Sequence, residues 1–148
     1  LTGKVIYGIS VADSPVKGTA MMKLDRLCEK YGVSISCKET GDPGSWEGPR
    51  GSMHWKVVLR MEGRQLTTAF HQGPAICKEP TAADVVSCLA SDWSGIQSTR
   101  DFEDWATDYG YDTDSRKAEK LYQACKRAAE KFARWAGDRA DEFVSAEW

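Results

Sequence analysis

The residues with chemistry to offer are few: His54 and His71, five cysteines, and the closely spaced Asp112 and Asp114. Two imidazoles facing each other across a hairpin could start a metal site, but a closed site needs further ligands. The sequence does not space any for them. Cys28, Cys37, Cys77, Cys88 and Cys125 form an odd, evenly spread set without a C-x-x-C pair. That pattern fits neither an extracellular disulfide framework nor a zinc cluster, so reduced and mostly buried thiols are expected. Asp112 and Asp114 have the spacing of an acid–base pair. Their place just ahead of a helical pattern makes them first-turn acids instead, favoured there by capping and by the helix dipole. The chain contains no G-x-S-x-G elbow, P-loop, dinucleotide glycine fingerprint or H-E-x-x-H. The expectation is a protein with no catalytic residues, no metal and no cofactor.

Charge is the stronger signal. From Glu79 to Asp114 the chain carries Glu79, Asp84, Asp92, Asp101, Glu103, Asp104, Asp108, Asp112 and Asp114 against Arg100 alone. Arg116, Lys120, Arg127, Lys131 and Arg134 follow. On a helix they fall within a sector of about 60°, opposite Leu121, Cys125, Ala128 and Phe132. A solvated helix face balanced by neighbouring acids such as Glu119 and Glu130 accounts for this pattern without any function. Two functional readings stand beside it. The basic ridge could track a nucleic-acid backbone, or the acids Asp101, Glu103, Asp104 and Asp108 could imitate one. The net charge of -2 leans toward the second. Of six tryptophans, Trp55, Trp93, Trp105 and Trp135 sit in or beside apolar stripes. Trp46, in a polar loop, and Trp148, at the end, have no core role in the pattern. Trp46 is therefore a candidate partner-binding anchor or a lid.

These residues need a scaffold, and 148 residues, 41% hydrophobic and 28% charged, suffice for one globular domain. No apolar run approaches the roughly 20 residues of a membrane span. The opening residues lack the pattern of a signal peptide, so a cytoplasmic protein is expected. Leu1 in place of Met, with Met21-Met22 just ahead of the first helix, fits a non-ATG start or an upstream extension. Residues 1–20 accordingly read as an N-terminal extension, with room for a short strand over Lys4–Ser10. Residues 21–148 read as a single α+β domain.

Within it, Leu24, Leu27, Cys28 and Tyr31 mark a helix that Gly32 stops. Val33, Ile35 and Cys37 alternate as a strand, and a Gly/Pro-rich loop runs from Thr40 to Ser52. Trp55, Val57, Leu59 and Met61 face one way, Glu62-Gly63-Arg64 turns the chain, and Leu66, Thr68 and Phe70 return it. Thr81-Ala82-Ala83-Asp84 is a capping box introducing the stripe Ala82, Val85, Val86, Leu89 and Trp93. Ser98-Thr99-Arg100-Asp101 reads as a second box, ahead of Phe102, Trp105, Ala106 and Tyr109. A long helix is expected from about Asp114 to Ala136, with a short one after Gly137. The fold class is α+β: a three-stranded antiparallel sheet, with a fourth strand admitted at the N-terminus, packed on helices, and a helical C-terminal half over 98–148.

The order helix, strand, strand, strand, helix over residues 22–93 resembles the double-stranded-RNA-binding domain. Gly48-Pro49 and His54 are similar to that family's minor-groove loop. The family's second helix opens on a lysine cluster, whereas this chain reads Lys78-Glu79-Pro80-Thr81-Ala82-Ala83-Asp84. The resemblance therefore implies the topology rather than the RNA binding. A second resemblance rests on the run from Gly110 to Glu119 (GYDTDSRKAE), with Trp55–Leu59, Gly63–Thr67, Pro80–Val85 and Phe102–Trp105. Together these resemble a family of small phage- and prophage-encoded accessory proteins, over about Met53 to Ala124. That resemblance implies a non-enzymatic inhibitor of host defence, of the anti-CRISPR class. Its partner would be a host defence protein or ribonucleoprotein complex, met in the host cytoplasm. A nucleic-acid-binding regulator and a virion structural or assembly factor are the alternatives.

Overall fold

The computed structural model describes residues 19–44, 46, 48–76 and 78–146. The strand expected at Lys4–Ser10, the Cys77 thiol and Trp148 lie outside the described residues. The elements run α1 (Thr19–Lys30), β1 (Ser34–Thr40), β2 (Met53–Met61), β3 (Arg64–Gln72), α2 (Ala82–Gln97), α3 (Phe102–Tyr109), α4 (Arg116–Ala136), a single 3-10 turn, and α5 (Ala140–Ala146). The class is α+β, as expected, with the helices concentrated in the C-terminal half.

The three strands form one antiparallel sheet in the order β1-β2-β3. Period-two alternation decides which face is buried. Trp55, Val57, Leu59 and Met61 of β2 point inward with Leu66 and Phe70 of β3, and all six are buried. The β2–β3 turn is tighter than the sequence implied. Only Glu62 and Gly63 lie between the strands, both at positive φ (51° and 80°), while Arg64 already pairs with Met61. Two positive-φ residues make the type I′ turn whose twist matches that of the strands.

Helices α1, α2, α4 and α5 cover the inward face. Leu24 and Cys28 of α1, Val85, Val86 and Leu89 of α2, Phe132 and Trp135 of α4, and Phe143 of α5 share one core with the sheet. The expected one-sided stripe on α2 is too narrow. Ala83, Val85, Val86, Ser87, Cys88, Leu89, Ala90 and Asp92 are all buried, because this helix runs through the middle of the layer, touching α1, α4 and α5. A second core surrounds Trp105, with Ala106, Tyr109, Leu121, Tyr122 and Cys125. It holds α3 against the N-terminal half of α4.

Helix starts follow side-chain capping. Thr81 and Asp84 form the anticipated reciprocal box. The second box is displaced: Ser98 ends α2, and Asp101 caps α3 by accepting from the Asp104 N–H at 3.0 Å. Helix α4 starts two residues later than expected, with Ser115 accepting from the Ala118 N–H at 3.1 Å. Asp112 and Asp114 are thus outside the first turn, and Asp112 Oδ1 instead accepts from the Asp114 N–H at 2.9 Å.

Candidate functional site: a basic ridge on α4

Helix α4 separates its two faces sharply. Leu121, Cys125, Ala128, Phe132 and Trp135 are buried, which turns Arg116, Lys120, Arg127, Lys131 and Arg134 outward, where all five are exposed. At 1.5 Å per residue the ridge extends about 27 Å. Among the described residues, the ion pairs are Arg64–Glu62, Arg100–Asp104 and Arg139–Glu62. None involves a ridge cation, and none joins the acids of α3 to the bases of α4. Among the described residues, Lys131 Nζ donates a long hydrogen bond to the Thr67 carbonyl at 3.5 Å.

Two surface grooves flank the ridge. One, of about 670 Å³, lies along its N-terminal half between Arg116, Glu119, Lys120, Gln123 and Arg127, so one carboxylate lines it among three cations. The other, of about 460 Å³, lies where the C-terminal half meets the edge of β3, between Arg64, Thr67, Lys131, Arg134 and Trp135. Arg64 brings a further guanidinium there, and it shares the single carboxylate of Glu62 with Arg139.

The acidic candidates divide. Asp101 is the cap of α3, and Asp104 accepts from the Arg100 N–H at 3.0 Å while pairing with its guanidinium at 3.6 Å. Glu103 and Asp108 are exposed. An acidic mimic would thus have two outward carboxylates on α3, the other two being engaged in local structure. Of the two readings of Trp46, the anchor is corrected and the lid agrees with the structure: the ring is 7% exposed and stacks on His71. Folding the loop back onto the sheet removes the large apolar surface of the ring from water.

Burial shifts the titratable groups of the interior toward their neutral forms. His54 and His71 do meet across the hairpin, with Nδ1 atoms 3.0 Å apart, yet the described residues contain no cluster of three or more metal-ligating side chains. Burial, reinforced by the neighbouring His54 and partly opposed by Asp42, lowers the His71 pKa to about 4. Cys28, Cys37, Cys88 and Cys125 are thiols, and burial raises Cys28 to about 12 and Cys125 further, with Asp92 adding to the latter. Such thiols are poor nucleophiles. Burial and then Asp92 also raise Tyr109 to about 12.

Positions that sequence reasoning missed lie on the sheet face turned away from the helices. Lys38 is the direct cross-strand partner of Lys56, and Arg60 donates to Ser36 Oγ at 3.1 Å on the same face. Their juxtaposition depends on the register of β1 against β2, which neither strand's own pattern contains.

No family model, curated protein or solved structure matches this chain. No helix of the described residues is long and apolar enough to cross a membrane.

Proposed function

We propose that the chain is a non-enzymatic binding protein that blocks a host nucleic-acid-guided nuclease complex, an inhibitor of the anti-CRISPR kind acting in the host cytoplasm. Its contact surface is the basic ridge of α4, set against phosphates of the complex's nucleic acid. One observation carries the choice of surface: five exposed cations share one helix face with no ion-pair partner among the described residues. Like charges gathered on a helix repel one another, and their field attracts a polyanion. The resemblance to phage accessory proteins supports the setting. The test is survival of phage or plasmid in defended cells expressing the protein. Wild type should protect the invader, and Arg127→Glu with Lys131→Glu should abolish protection without unfolding the chain. Unchanged killing with wild type would sink the reading.

The same ridge supports a second reading, a regulator that binds nucleic acid directly. The double-stranded-RNA-binding mode does not supply it. The N-terminus of α2, where that mode takes phosphates, is closed by the chain's own carboxylate, with Asp84 Oδ2 accepting from the Thr81 N–H at 2.9 Å. Gel shifts with protein-free nucleic acid in the absence of any defence complex separate the two: regulation requires tight binding there, and inhibition does not.

A further inference from the structure

Resting on the reading of the α4 ridge as a phosphate contact, we infer that the ridge is one arm of a larger duplex-binding surface whose second arm is the sheet face turned away from the helices. The outward positions are Ser34, Ser36, Lys38 and Thr40 on β1, His54, Lys56, Val58 and Arg60 on β2, and Gln65, Thr67, Ala69 and His71 on β3. None is an acid; among the described residues the carboxylate that approaches this face is Asp42 at its rim, while Glu39 pairs with Trp55 on the opposite face. At one end the Trp46 loop closes over the two histidines. Over the rest, Lys38, Lys56, Arg60, Gln65 and Thr67 are exposed, and no described element packs on them.

The Lys38–Lys56 pairing is the telling feature. Like charges set directly opposite on neighbouring strands destabilise a sheet, and no ion pair among the described residues offsets this pair. An anion bridging both ammonium groups would reverse the sign of the interaction. The two arms meet at the edge of β3, where Thr67 lies on the sheet face and its carbonyl receives Lys131 of the ridge. The surface is therefore continuous from Lys38 and Lys56, past Thr67, to Lys131 and Arg134.

The side chains also choose among polyanions. Lysine, arginine, serine, threonine and glutamine are the groups that take phosphate oxygens. A single strand is held by aromatic side chains on which its bases stack. The outward face offers none, since its two imidazoles lie at the closed end and His71 is 1% exposed. The occupant is the phosphodiester backbone of a duplex, read without regard to sequence.

The experiment is fluorescence anisotropy of a short labelled duplex of mixed sequence, titrated with the full chain over a series of salt concentrations. Wild type, Lys38→Thr/Lys56→Gln and Arg127→Glu/Lys131→Glu are compared, with melting temperatures measured alongside. The sheet variant should bind roughly an order of magnitude more weakly at low salt, with a log–log salt slope shallower by about 0.9 for each phosphate it no longer neutralises. Its melting temperature should hold or rise, because the like-charge pair is gone. If the sheet variant keeps the wild-type slope while the ridge variant loses it, the second arm is wrong and the ridge stands. A melting temperature falling in step with affinity would also overturn the second arm, since the lysines would then serve the fold. Tighter binding of a single strand than of a duplex would overturn the choice of occupant. No duplex binding by wild type at low salt would overturn this surface, and the survival assay would then decide the ridge as an inhibitory contact on its own.

Discussion

The Trp46 indole lies on the His71 imidazole, centroids 5.4 Å apart and planes 22° from parallel. His71 also meets His54, edge to face. This stack closes one end of the sheet and makes the fold sensitive to acid. The unfolded chain takes up the His71 proton near 6.5, whereas the folded chain does so only near 4. Protons in that window therefore favour unfolding. Stability should be level in this respect above about pH 6.5 and fall as pH is lowered toward 4, by up to about 1.4 kcal/mol per pH unit. Urea midpoints measured from pH 7.5 to 4 check this, with His71→Gln as the non-titrating control. A control that keeps the full wild-type slope would show that other groups set it.

Gly48 is required by the same stack. A Cβ there would fall within the Trp46 ring, so Gly48→Ala should expel the indole or push the loop away. Truncating a buried tryptophan to alanine costs about 3 to 5 kcal/mol, and Gly48→Ala should forfeit much of that. The two changes act on one contact, so the double variant should be little worse than Trp46→Ala alone. Strict additivity would mean that Gly48 matters for another reason.

What the sequence made legible was whatever repeats locally. Trp55, Val57, Leu59 and Met61 announce a strand by period two, and Leu121, Cys125, Ala128 and Phe132 announce the inner face of α4 by period 3.6; the ridge opposite follows from the same count. Pairings between distant segments left no such mark. Trp46 reads equally as anchor or lid because its neighbours are polar, and the imidazole that buries it belongs to a distant strand. Lys38 and Lys56 look like ordinary surface lysines until β1 and β2 are placed in register. Ser98 and Asp101 are both competent caps, and the choice between them falls to the core around Trp105, which needs Phe102 and Ala106 in the first turns of α3.

That choice gives a test of which acids are structural. Removing the Asp101 cap with alanine should cost about 1 kcal/mol, and Ser115→Ala a similar amount. Glu103 and Asp108 are exposed and cap no helix, so Glu103→Ala and Asp108→Ala should stay within about 0.5 kcal/mol. Thermal melts of the four variants decide it. In the survival assay, Glu103→Lys with Asp108→Lys should leave protection intact if α4 is the contact surface. Failure to protect by a well-folded double variant would move the contact to α3.

The run from Gly110 to Ser115 has a structural explanation that yields the last prediction. Gly110 ends α3 at φ 79°, in the left-handed region that lets the chain reverse. The Tyr111 N–H then donates to the Ala106 carbonyl at 2.8 Å, which brings its ring flat against Trp105, centroids 5.2 Å apart and planes 2° from parallel. Asp112 makes the next turn, and Ser115 starts α4. The segment is thus a clasp that fixes the N-terminal end of the basic ridge relative to α3. Gly110→Ala should lose about 1 kcal/mol through its backbone. Tyr111→Ala should lose about 2 kcal/mol through the stack, and Tyr111→Leu should recover part of that by restoring apolar area without the aromatic pairing. If protection depends on the ridge as a rigid array, both alanine variants should weaken it at temperatures well below their melting points. Variants that melt early yet protect fully would show that Arg116 and Lys120 contribute little, and would confine the contact to Arg127, Lys131 and Arg134.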